Sequence, residues 1–87
     1  WMLTAIEQFK SGDYKGARTM ICSQARPEEY DDVYKFMYRN LLLWGNTEVQ
    51  QDQAIVIIRN GMAKSSLCAD PEINLAATLV ELQLNSL

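Results

Sequence analysis

Four carboxylates crowd one short stretch of this chain, Glu28, Glu29, Asp31 and Asp32. Paired carboxylates are the raw material of general acid–base catalysis and of oxygen-ligated metal sites. Their spacing argues for something plainer. On a helix, neighbours such as Asp31 and Asp32 point about 100° apart, and acidic side chains in a first turn simply complement the helix dipole. There is no histidine, which excludes Cys/His zinc sites, Ser-His-Asp triads and Cys-His pairs within the chain. Cys22 and Cys68 are too few for a disulfide framework and lack metal-ligand spacing, so both are expected to be unpaired, structurally inert thiols of a reducing, intracellular setting. Gly12-Asp13-Tyr14-Lys15-Gly16 holds two glycines but not the order of a phosphate loop, G-x-x-x-x-G-K-[ST]. Tyr14, Tyr30, Tyr34 and Tyr38 could stack bases, yet three of them fall on helix-packing spacings without interleaved basic residues. The sequence therefore predicts no catalytic, cofactor-binding or metal-ligating residue, and no enzyme.

Charge points the same way. The net charge is −3, with eight basic residues scattered rather than gathered into a stripe, the wrong balance for gripping phosphates directly. No apolar run approaches the ~18 residues of a membrane span, and these residues hold no basic-then-apolar leader, so neither a membrane span nor a signal peptide is expected. Apolar residues make up 48%, enough for a core. Residues 1–87 read as a single helical domain. Because the chain opens Trp1-Met2, it is expected to be a piece of something longer.

The elements that position these residues follow from apolar spacing, which predicts an all-α, compact bundle of about five helices. Met2, Ala5, Ile6 and Phe9 mark a first helix, stopped at Ser11-Gly12. Asp13 caps a second, with Tyr14, Ala17, Ile21 and Ala25 as its stripe, broken by Arg26-Pro27. A long third helix runs from Pro27 to Trp44, with Tyr30, Val33, Tyr34, Met37, Leu41 and Trp44 inward. Its solvated face is Asp31, Lys35 and Arg39, supported by an i,i+4 ion pair, and Gly45-Asn46 ends it. Thr47-Glu48-Val49-Gln50 is a capping box opening a fourth helix, in which Gly61 is expected to permit close approach of a neighbour. The β-branched Ile55, Val56 and Ile58 alone suggest a strand, but the cap and polar flanks favour helix.

The last helix is the most informative. Asp70 caps it and Pro71 occupies the first helical position. Ile73, Ala76, Ala77, Val80, Leu84 and Leu87 form one apolar stripe, expected to face the core, and Leu75, Leu79 and Leu82 a second group beside it. Asn74, Thr78, Glu81 and Asn85 remain as a narrow polar seam. Either the helix is central to its own core, or it serves the core and a neighbouring subunit. On the second reading Leu75, Leu79 and Leu82 are the expected subunit-interface residues, since three leucines left in water would form a sizeable patch.

The segment Asp-Pro-Glu-Ile-Asn-Leu-Ala-Ala-Thr-Leu-Val-Glu-Leu, residues 70–82, resembles the last helix of sliding-clamp loader small subunits, especially those of T4-type bacteriophages, in the replication factor C-like family. Ser11-Gly12-Asp13-Tyr14-Lys15-Gly16-Ala17-Arg18 resembles the turn that begins a collar helix in the same family. Tyr30 to Leu43 and Gln53 to Met62 fit the family's helix order, so the resemblance spans nearly the whole chain. It implies the C-terminal collar, an oligomerisation domain in DNA replication that holds the ATPase modules loading the sliding clamp onto primer-template DNA.

In that family ATP and magnesium belong to the parent subunit, and the collar adds no catalytic group or cofactor. The implied partners are the other clamp-loader subunits through the collar, with the clamp and DNA reached only through the assembly. There is no direct nucleic-acid binding and no membrane partner, and the setting is the cytoplasm of a bacterial host. The Walker A loop, the Asp-Glu magnesium pair and the Ser-Arg-Cys motif are missing from these 87 residues. The Gly12 turn also resembles a tetratricopeptide repeat, although no second copy follows about 34 residues on. The alternative it leaves is a free-standing helical adaptor that binds a partner protein.

Overall fold

The computed structural model describes residues 1–67 and 69–87. The expectation for Cys68 lies outside the described residues. Five α-helices carry the fold: α1 (Met2–Lys10), α2 (Tyr14–Gln24), α3 (Tyr30–Arg39), α4 (Glu48–Ser65) and α5 (Pro71–Asn85). No strand occurs among the described residues, so the all-α bundle expected from apolar spacing is the architecture found. The β-branched run at Ile55 lies inside α4.

Three of the helix starts, those of α2, α4 and α5, have a side-chain cap. The Asp13 carboxylate accepts from the Gly16 amide at 3.0 Å, and Gly12, at φ +87°, turns the chain between α1 and α2 in a backbone region that glycine enters without strain. Thr47 and Gln50 form the reciprocal capping box: Thr47 Oγ1 accepts from the Gln50 amide at 3.1 Å, and Gln50 Oε1 from the Thr47 amide at 3.3 Å. Asp70 accepts from the amides of Glu72 and Ile73 at 3.0 and 3.3 Å. These bonds satisfy amides that no helical carbonyl can reach.

The third helix departs from expectation at both ends. Pro27–Glu29 is a tight 3₁₀ turn, α3 stops at Arg39, and Leu41–Leu43 form a second 3₁₀ turn. Asn40 explains the stop. Its side-chain amide donates to the Phe36 carbonyl at 2.8 Å, its backbone adopts φ −126° and ψ 48°, and the helix is diverted there. The diversion lets Trp44 swing into the core, where its Nε1 donates to the Met37 carbonyl at 3.0 Å and its ring meets Phe9 edge-on at 4.7 Å. The expected Asp31–Lys35 ion pair does not form; among the described residues no ion pair is closer than 4.0 Å.

α4 and α5 make the most extensive helix pair, α3 packs on α4, α5 also touches α2, and α1 pairs with α2. Trp44, Tyr34, Ile21, Met37, Leu75, Leu82 and Val33 are fully buried at the shared core. The expected close approach at Gly61 is present: a methyl added there would collide with the Thr78 side chain and lie 3.0 Å from the Tyr34 ring.

Candidate interaction surface

The polar seam of α5 decides how the helix is turned. Asn74 Nδ2 donates to the Gly61 carbonyl at 2.9 Å and to the Tyr34 hydroxyl at 3.0 Å. The Thr78 hydroxyl donates to the Asn74 carbonyl at 2.9 Å, and Asn85 Nδ2 to the Gln50 carbonyl at 2.9 Å. Three of the four seam residues thus point toward α4 and leave only Glu81 in water. Buried amides and hydroxyls are tolerated when they find partners of this kind.

That rotation corrects the expected roles of the two apolar groups. Leu75, Leu79 and Leu82, expected at a subunit interface, are core: Leu75 and Leu82 are completely buried and Leu79 is 3% exposed. With Thr78 they sit roughly opposite Ile73 and Leu84 around the helix axis. The stripe expected to face the core is turned outward instead, with Ile73 67% exposed, Leu84 60% and Leu87 89%. Ala77 is exposed, and Val80 and Ala76 are half-buried. Leucines fill the interior better than an Ile/Ala/Ala/Val row, and the seam beside them carries the hydrogen bonds. Apolar spacing gave two candidate faces; only the partners of Asn74, Thr78 and Asn85 select between them.

Two concavities lie between helices. Between α2 and α5 lies a pocket of about 400 Å³, with Arg18, Cys22, Glu72, Ile73 and Ala76 in its walls. Cys22 is a free thiol whose pKa is raised, first by burial and then by the Glu72 carboxylate, against a lowering by Arg18. A raised pKa disfavours the thiolate, the nucleophilic form. Between α3 and α4 runs a groove of about 330 Å³ lined by Tyr34, Lys35, Tyr38, Ile55, Ile58, Arg59 and Met62.

The residues first considered for chemistry are dispersed. Asp31 and Asp32 are exposed, and Glu29 uses its carboxylate to accept from the Arg26 amide at 3.2 Å. Among the described residues no three His, Cys, Asp or Glu side chains are grouped so as to hold a metal ion. Tyr30 and Tyr34 are buried and Tyr14 is half-buried, so only Tyr38 presents its ring to solvent. Burial, with smaller repulsion from Glu72, raises the Tyr30 pKa. Among the described residues no helix is long and apolar enough to cross a membrane. Comparison with protein families, with curated proteins and with solved structures finds no match to this chain.

Proposed function

We propose that this chain is a non-catalytic assembly domain whose α5 presents its outer face to a neighbouring protein subunit. The observation that carries the reading is the two-faced α5. One apolar face closes the core, and an opposing one, Ile73, Ala77, Val80, Leu84 and Leu87, is largely in water. An apolar stripe of about three helical turns, continued by Leu87 just past the helix end, is on so small a domain the kind of surface that marks a protein contact.

The resemblance of residues 70–82 and 11–18 to clamp-loader collars gives the proposal its concrete form. The chain serves as the collar of a clamp-loader small subunit in DNA replication, and its neighbours are the other subunits. ATP, magnesium, the sliding clamp and primer-template DNA then belong to the parent assembly, and the setting is the cytoplasm of the host cell. The gene tests this form directly. A reading frame continuous with Trp1 that encodes a G-x-x-x-x-G-K-[ST] loop upstream supports it. A reading frame that begins at Met2 refutes it and leaves the free-standing adaptor.

The surface itself is tested by Leu84→Asp in the parent protein. The variant should keep its helical melt and fail to co-purify with its partner subunits. Assembly at the wild-type level would place the contact elsewhere.

A further inference from the structure

Resting on the proposed role of α5's outer face, we infer that the surface receiving it is the α3–α4 groove of a second copy of this chain. The two surfaces are complementary in shape and in charge. The groove is apolar at its floor and walls, through Tyr38, Ile55, Ile58 and Met62, and among the described residues its charged lining is Lys35 on α3 and Arg59 on α4. Neither cation forms an ion pair among the described residues. In a chain of net charge −3, a groove whose charged lining residues are both cations is a local reversal of sign.

α5 supplies the opposite pattern. It contains no lysine or arginine, and its two carboxylates border the apolar stripe, Glu72 about 100° to one side and Glu81 about 80° to the other. A stripe laid into the groove sets Ile73, Val80 and Leu84 against Tyr38, Ile55 and Met62, with acids beside cations along the rims. Glu81, which is exposed and bonded to no other described residue, faces Arg59 most freely, because Glu72 already shares the α2–α5 pocket with Arg18.

Stripe against stripe is the competing self-contact. It sets acidic borders against acidic borders and leaves Lys35 and Arg59 without partners, so charge selects the groove. Because stripe and groove lie on different surfaces of one chain, the contact is heterologous. Each copy offers one donor face and one acceptor face, and repetition closes a ring or extends a filament.

Mixing two singly blocked variants tests this. Leu84→Asp spoils the stripe and Met62→Asp the groove; both side chains reach solvent, and thermal melts by circular dichroism verify that each variant folds. By sedimentation velocity, wild type should form species beyond the dimer as concentration rises, while each variant alone stays monomeric. Their equimolar mixture should form a heterodimer that grows no further, since one intact stripe meets one intact groove. Arg59→Glu alone should weaken wild-type assembly roughly fivefold, and Glu81→Arg in the same chain should restore it. A Met62→Asp variant that assembles like wild type, or a mixture that stays monomeric, overturns the groove and leaves the α5 surface standing. A Leu84→Asp variant that assembles like wild type overturns both. A wild-type chain still monomeric at about 1 mM overturns the inference as well.

Discussion

Gly61→Ala probes the seam that sets α5's orientation. Considered as a helix alone, α4 should welcome the change, because alanine is favoured over glycine by about 0.8–1.0 kcal/mol in a helix interior. The packing says otherwise. The new methyl collides with the Thr78 hydroxyl, comes within 2.9 Å of its Cγ2 and lies 3.0 Å from Tyr34 Cε1. Thr78 cannot simply rotate away, because its hydroxyl is bonded to the Asn74 carbonyl at 2.9 Å. Relief by separating α4 from α5 stretches the Asn74 bonds to Gly61 and Tyr34. Overpacking costs about 1–3 kcal/mol and a weakened hydrogen bond about 1 more. Against the propensity gain, the net loss is about 1–3 kcal/mol, a fall in Tm of roughly 5–20 °C for a domain of this size. In a Thr78→Ala background the collision disappears, and the penalty of Gly61→Ala should shrink by at least ~1 kcal/mol in a double-mutant cycle. Thermal and urea denaturation of the four proteins measure this. If Gly61→Ala raises Tm equally in both backgrounds, α4 and α5 are not in the contact described.

Leu79→Asp should unfold the domain, since it places a carboxylate where Leu79 is 3% exposed, whereas Leu84→Asp at a 60% exposed site should leave the unfolding free energy from urea titration within ~0.5 kcal/mol of wild type. Trp44→Phe removes one of the two donors to the Met37 carbonyl, which keeps the Asn40 amide, and should lower stability by about 1 kcal/mol in urea titrations, with loss of the most shielded indole emission. Stability should fall as pH rises above about 9. Cys22 and Tyr30 hold their protons more tightly folded than unfolded, so the unfolded chain ionises first, from the ordinary 9.0 and 10.0 upward, and their contribution, whole below those values, is lost toward their folded pKa values. Cys22→Ala should flatten the first part of that decline in urea midpoints taken across the alkaline range.

The helices were readable because their signals are local. Asp13, Thr47 and Asp70 act on amides two or three residues away, and Pro27 and Pro71 fix the backbone where they stand. Gly61 was readable for a related reason: a glycine inside an otherwise regular helix points to a neighbour that needs the space. The break at Asn40 was not readable, because Leu41 and Trp44 continue the helical apolar period through it. The stop comes from a side-chain bond to Phe36 and from the fit of Trp44 over Met37 and Phe9.

The orientation of α5 was hidden for a different reason. Both of its faces are apolar, so periodicity carries no sign. The sign comes from Asn74 and Asn85, whose partners Gly61, Tyr34 and Gln50 lie 13 to 40 residues away in sequence. Leu75, Leu79 and Leu82 were expected at an interface for lack of that tertiary information, and the outer stripe is the surface that remains. The α3–α4 groove likewise exists only when Lys35 and Arg59, 24 positions apart in the sequence, meet across two helices.

Methyl NMR of the folded chain across a concentration series tests the central claim most directly, because it reads both faces of α5 in one sample. The account predicts concentration-dependent shifts at Ile73, Val80, Leu84 and Leu87, and unchanged methyls at Leu75, Leu79 and Leu82. Spectra that hold constant up to about 1 mM, or shifts at the core leucines while the outer stripe stays still, would contradict it.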